Sequence, residues 1–280
     1  MQTVAEAAGP DTTPETPGRL RLRAGEWLRA ICRTVVVFLL SSAVATALLA
    51  AWAPTLAMRA AGPGLRARIR RSAARTWGRG MMLATGVRVS AEGTPPPEGA
   101  LVVSNHLGYL DIAAVNSVAP MVFVSRADVR RWPFWGAIAA LGGTVFVDRA
   151  RKRDVIRVRH GMEAALERGD RVLVFPEATS TDGSTIRPLK PALLAGAAQR
   201  DMPVYWMTLS YRTPPGSPSA RDRVCWWQAV GFVPHALALF GLKRVYCTIR
   251  FGDAPVRATH RKELAVALRT RMLQRFEPVT

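Results

Sequence analysis

The chain has 280 residues, 49% of them hydrophobic, which suits one sizeable domain with an appendage and excludes a wholly disordered protein. Its net charge of +19, from 39 Lys and Arg against 20 Asp and Glu, implies an anionic partner such as lipid headgroups, a phosphorylated substrate, an acidic carrier protein or nucleic acid. Cys32, Cys225 and Cys247 have neither metal-ligand spacing nor the even count of a disulfide framework, and read as buried thiols.

Residues 1–18, rich in Pro, Thr, Ala and Glu, are expected to form a disordered tail. Residues 34–58 carry no charge and are long enough to cross a bilayer as a helix. Arg29, Arg33 and Arg59 bracket them, and Trp27 and Trp52 fall at interface depth. Pro54 also permits a re-entrant or in-plane anchor, and a buried core helix is the bland alternative. In residues 64–84, Leu65, Ile69, Ala73, Trp77 and Met81 recur at a constant helical spacing among many arginines. This pattern predicts a basic amphipathic helix on an anionic membrane surface, or a helix packed on the domain with its basic face in solvent. Residues 19–84 are accordingly assigned to membrane-anchoring helices and 85–280 to the domain that follows.

That domain alternates strands with helices. Strands are expected at 87–89, 100–104, 121–124, 144–147, 171–175 and 203–211. Helices are expected at 112–118, 133–141, 153–168 and 189–198. Further strands at 224–232 and 244–251 and a helix at 259–276 complete the chain. The alternation predicts an α/β fold with a mixed, largely parallel sheet flanked by helices.

His106 leaves the strand 100–104, and Asp111 follows a turn-forming Gly108-Tyr109. Such a turn lets the carboxylate hold one imidazole nitrogen and frees the other to take a proton. Arg149 and Glu177 also follow apolar strands, so a parallel sheet brings base, cation and carboxylate to one cleft. The chain has no G-x-S-x-G elbow, Walker A loop, G-x-G-x-x-G or H-E-x-x-H motif. No metal site is expected, and the substrate's own nucleophile must attack directly. No nucleic-acid-binding motif accompanies the basic residues, so lipid is the simpler anionic partner.

Asn105-His106-x4-Asp111 resembles the first sequence block of the glycerolipid acyltransferases, the 1-acylglycerol-3-phosphate acyltransferase group. Residues 143–149, ending in Arg149, resemble the second block. Phe175-Pro176-Glu177-Ala178-Thr179-Ser180 resembles the third, and Pro203 falls where the fourth is expected. The resemblance covers residues 87 to about 255 and identifies 85–280 as an acyltransferase domain. It implies acyl transfer to the free hydroxyl of a lysophospholipid, first of all 1-acylglycerol-3-phosphate, giving phosphatidic acid. His106 and Asp111 are then catalytic, and Asn105, Arg149, Glu177, Ala178 and Thr179 bind substrate. No cofactor is implied; acyl-CoA or acyl carrier protein is the donor. The implied place is the inner, cytoplasmic membrane, with the site facing the cytosol, where both donors are found. Two departures bear on the acceptor: Ala178 stands where the block has Gly, and Ser180 where it has Arg. Related bacterial members acylate lyso-ornithine lipid, which is the alternative acceptor. An inactive, membrane-anchored lipid-binding scaffold is the alternative of a different class.

Overall fold

The computed structural model describes residues 22–56, 62–148 and 154–280. The expected tail at 1–18, Arg59 and Arg149 lie outside the described residues. In chain order the elements are α1 (Ala24–Trp52), α2 (Gly62–Thr85), β1 (Val87–Glu92), β2 (Leu101–Ser104), α3 (Leu110–Val118), β3 (Val122–Arg126), α4 (Trp135–Leu141) and β4 (Val145–Val147). There follow α5 (Asp154–Glu167), β5 (Val172–Val174), α6 (Ala195–Gln199), β6 (Val204–Arg212), α7 (Ala220–Arg223), α8 (Phe232–Gly241), β7 (Val245–Phe251) and α9 (Arg261–Arg275).

The strands form one sheet in the order β1-β7-β6-β2-β5-β3-β4. Every pairing is parallel except β6 with β7. The central strands β2 and β5 are buried on both faces, which is why they appear in the sequence as unbroken apolar runs. Val102 and Leu173 point into a core shared with α1, α2, α3 and α8, while Val103 and Val172 face α5, α6 and α9. The carboxyl ends of β2, β4, β5 and β6 share one edge of the sheet.

Helix α1 is the one helix among the described residues long and apolar enough to cross a membrane, and only 17% of its most apolar window is buried. Its buried residues Ala30, Val37, Ser41 and Leu48 make a narrow stripe. The other face exposes Leu28, Ile31, Val35, Leu39 and Leu49. This is not the burial pattern of a core helix, and it is compatible with membrane anchoring. Arg29 and Arg33, expected to bracket a span, are engaged inside the fold. Arg29 Nε donates to the Gly241 carbonyl at 2.8 Å and Arg33 Nη1 to the Phe240 carbonyl at 3.1 Å, so both cap the carboxyl end of α8.

Helix α2 packs on the domain, and part of its basic face is turned to the domain and not to solvent. Arg70 and Arg71 bind the buried Asp170 carboxylate, and Arg75 donates to the Val118 carbonyl at 2.7 Å. Gly78 is required where α2 crosses α3, because a Cβ there would stand 2.5 Å from the Ser117 amide nitrogen.

Two expected elements differ. Residues 189–198 contain a 3-10 turn, Pro191–Leu194, before the short α6 instead of one continuous helix. The expected strand at 224–232 is irregular through Gly231 and then enters α8. The Trp226 amide donates to the Leu107 carbonyl at 2.7 Å, so this backbone binds the β2–α3 turn and no sheet edge. Cys225 and Cys247 are buried as expected, whereas Cys32 is exposed on α1.

Candidate active site

The site is built where β2 ends. The ladder between β2 and β6 stops at the Ser104–Met207 pair. The Asn105 side chain then continues it: Nδ2 donates to the Leu209 carbonyl at 2.9 Å, and Oδ1 accepts from the Leu209 amide at 2.8 Å. Asn105 is 1% exposed, and both polar atoms of its side-chain amide are engaged by β6.

His106 is fixed at every backbone polar group. Its amide donates to Glu177 Oε1 at 2.9 Å, and its carbonyl accepts from the Thr181 amide at 2.9 Å. Its ring stacks on Phe175, with centroids 4.2 Å apart and an interplanar angle of 16°. Nδ1 lies 2.8 Å from Asp111 Oδ2. An ionised carboxylate only accepts, so this contact assigns the neutral imidazole's proton to Nδ1 and leaves Nε2 with its lone pair free. The side chain is 24% exposed, and Nε2 has no hydrogen-bond partner among the described residues.

Asp111 has no exposure to solvent and is fully coordinated. Besides His106, Oδ2 accepts from the Leu107 amide at 2.8 Å and the Gly108 amide at 3.1 Å. Oδ1 accepts from the Tyr211 hydroxyl at 2.9 Å. The turn predicted between His106 and Asp111 is therefore closed by the carboxylate itself. Tyr211 was not predicted; it lies 100 residues further on, at the end of β6, and no spacing in the sequence marks it.

Glu177 is 3% exposed and joins two backbones, taking the His106 amide on one oxygen and the Arg187 amide on the other, the latter at 2.9 Å. Burial pushes its carboxyl above the ordinary range, against the pull of those two amides. It shapes the site by holding the His106 backbone against that of Arg187. Ala178 follows with φ at +66°, the conformation for which glycine is the default. Thr179 is exposed. Ser180 Oγ donates to the Trp226 carbonyl, so with the Trp226–Leu107 bond the 224–231 segment is fastened to both sequence blocks.

Tyr109 extends the site away from the cleft. Its hydroxyl donates to His235 Nδ1 at 2.9 Å, and His235 Nε2 donates to the Cys225 carbonyl at 3.1 Å. Burial lowers the His235 pKa to about 4, so it is neutral and both its nitrogens are satisfied. Next to Tyr109 lies an apolar cavity of about 190 Å3 between α1, α2, α3 and α4. Ser41, Trp77, Phe123, Trp132, Trp135 and Phe232 are among its walls. Phe123 contacts Phe175, which stacks on His106, so an aromatic path joins the cavity to the imidazole.

Comparison with known proteins places this geometry. A family model described as Acyltransferase matches residues 86–211. The lyso-ornithine lipid O-acyltransferase of Rhizobium meliloti is 33% identical over 210 residues, covering 70% of this chain and 72% of that protein. The 1-acyl-sn-glycerol-3-phosphate acyltransferase of Neisseria meningitidis is 32% identical over 162 residues, covering 55% of this chain and 64% of that protein. The crystal structure of the 1-acyl-sn-glycerophosphate acyltransferase PlsC from Thermotoga maritima has the same fold, with a TM-score of 0.58 at 17% identity, over 88% of this chain and 95% of that one. The chain belongs to the acyltransferase family. The activity that accompanies this membership is acyl transfer to a glycerolipid or lysolipid.

Proposed function

We propose that the protein transfers an acyl group from a thioester, acyl-CoA or acyl carrier protein, to the free hydroxyl of a lysolipid, with His106 as general base. The observation that carries this reading is the His106–Asp111 contact of 2.8 Å, with Nε2 open to the cleft. Nε2 removes the hydroxyl proton as the oxygen attacks the thioester carbon. Asp111 holds the imidazolium so formed. Collapse of the tetrahedral intermediate breaks the C–S bond, and Nε2–H returns the proton to the leaving thiolate. Nothing is left covalently on the protein. The apolar cavity beside Tyr109 suits an acyl chain.

The acceptor proposed first is 1-acylglycerol-3-phosphate. Lyso-ornithine lipid is the second reading, favoured by one observation: Ser180 stands where the family block has Arg, and its side chain turns to the Trp226 carbonyl. Arg149, outside the described residues, is proposed as the anion contact, and Thr179 as a rim contact. Helix α1 is proposed to hold the protein at the cytoplasmic membrane with the site facing the cytosol. Protease protection of the C-terminal domain by sealed cytosol-inside membranes, with cleavage only after lysis, supports that orientation; cleavage from the outside refutes it.

The test of activity uses membranes carrying the full chain, labelled acyl-CoA or acyl carrier protein, and both lysolipids. Product that disappears in His106→Ala supports the reading, and the acceptor used selects between the two. Absence of product with every donor and acceptor overturns it in favour of a lipid-binding scaffold.

A further inference from the structure

We propose that Tyr211 is a positioning residue of the acyl-transfer base: its hydroxyl fixes the Asp111 carboxylate, and through it the His106 imidazole. The inference rests on the general-base reading of His106 and adds a component outside the sequence block that contains the His and Asp.

The geometry concentrates three donors on Asp111 Oδ2, namely His106 Nδ1 and the Leu107 and Gly108 amides. They set the position of that oxygen but leave rotation of the carboxylate about it unopposed. Oδ1 receives one bond, from the Tyr211 hydroxyl at 2.9 Å. With Tyr211 in place both oxygens are tied, and the plane of the carboxylate is fixed relative to the imidazole. Tyr211 is 1% exposed and touches no solvent-filled cleft, so it acts through Asp111 and not on substrate.

Tyr211 is itself held in place from two sides. Asn105 grips both backbone groups of Leu209, and side chains two residues apart on a strand share a face. On the other side Tyr211 pairs with Cys247 of β7, whose thiol lies against the phenol oxygen. A path of buried groups thus runs from Cys247 through Tyr211 and Asp111 to His106, while Asn105 fixes the strand that carries it. This accounts for the two bonds between Asn105 and Leu209.

The bond has an electrostatic consequence. A phenol donating to a carboxylate disperses its charge and weakens its hold on an imidazolium. The other titratable and charged groups around the pair are Glu177 at the His106 amide, Arg187 beside Glu177, Cys225 and Cys247 near Asp111, and Asp182 near Cys225. Of these only Cys247 touches the phenol, and burial holds its thiol neutral with or without that contact, so a difference between the two pH profiles reports the hydroxyl missing from Asp111.

The experiment uses the full chain in membranes with labelled palmitoyl-CoA, and 1-oleoylglycerol-3-phosphate and lyso-ornithine lipid as acceptors. His106→Ala comes first: wild-type turnover in that variant removes the base reading and this proposal with it. With His106→Ala inactive, Tyr211→Phe is expected to lower kcat about tenfold with KM nearly unchanged, because the carboxylate and imidazole lose alignment. Its acid limb of kcat/KM is expected to move up by about half a pH unit. A Tyr211→Phe protein with wild-type kcat and an unmoved acid limb overturns the proposal while leaving the base reading intact. So does a variant that only melts earlier, with kcat per folded molecule and pH profile unchanged. Should Tyr211→Phe fail to fold, 3-fluorotyrosine at position 211 decides the matter. Its stronger donor should move the acid limb down, and an unmoved limb refutes the inference.

Discussion

Replacing Asp111 by Asn or by Ala separates what this residue does for folding from what it does for chemistry. The carboxylate accepts from His106, Leu107, Gly108 and Tyr211. An asparagine with its amide oxygen at the Oδ2 position still accepts the first three, and its NH2 meets the Tyr211 oxygen, which can rotate to accept. The backbone donors and His106 keep their acceptor, whereas the Tyr211 hydroxyl hydrogen and the second amide hydrogen lose theirs. Each of the four bonds loses its charge-assisted component, about 1 kcal/mol apiece, but the cost of burying a carboxylate is also relieved. The net loss should be about 1–3 kcal/mol. Alanine instead strips all donors of their acceptor in a site with no solvent, at a cost of about 5 kcal/mol or more. Chemistry should divide differently. Asparagine removes the charge that stabilises the imidazolium, and turnover should fall by about a hundredfold to ten-thousandfold although the fold survives. Denaturant unfolding in detergent and single-acceptor kinetics on both variants provide the test. An Asn variant within about threefold of wild-type turnover, or an Ala variant as stable as the Asn one, would refute the reasoning.

Three further predictions concern the surroundings. Ala178→Gly relieves a side chain held at φ +66° and should stabilise by about 0.5–1 kcal/mol, seen as a rise in Tm of about 2 °C. His235 has its pKa lowered from 6.5 to about 4, so below pH 6.5 the unfolded chain takes up a proton that the folded one refuses, and stability falls as the pH drops. Between pH 7.5 and 4.5 the wild type should lose about 2–3 kcal/mol more than His235→Gln, measured by denaturant titration at both values. Gly78→Ala drives a methyl group against the Ser117 amide and the Ala113 carbonyl at 2.8 Å, separating α2 from α3. It should destabilise by about 2–4 kcal/mol, read as a lowered Tm, and an unchanged Tm would mean the two helices are not in such close contact.

The His106–Asp111 turn was legible because strand, turn and helix are each marked locally, by an apolar run, a Gly and a second apolar run. The parallel sheet was legible for the same reason. The 224–232 segment misled because Val224, Trp226, Trp227 and Val230 have the composition of a strand. What decides its conformation is distant: the Leu107 carbonyl and Ser180 hydroxyl bind the Trp226 backbone, and Arg29 and Arg33 cap the helix after it. Asn105 and Glu177 show a different limit. The sequence places both beside the His106–Asp111 turn but says nothing of which way they face, and both turn inward to satisfy backbone groups. Similarly, the arginines of α2 carry a membrane-binding composition, yet Arg70 and Arg71 are committed to Asp170, a partner that no helical pattern could reveal.

The cavity beside Tyr109 takes part of its wall from Ser41, Val44, Ala45 and Leu48, all on α1. The opposite side of the same helix presents Val35, Leu39 and Leu49 outward. A single helix, about 10 Å thick, therefore divides the pocket from whatever surrounds the protein. Cutting α1 away to obtain a shorter fragment would open the cavity, because it removes the cavity's outer wall. A detergent or lipid that shifts α1 acts on the pocket as directly as a substitution within it, so rates measured in different amphiphiles are properties of different pockets.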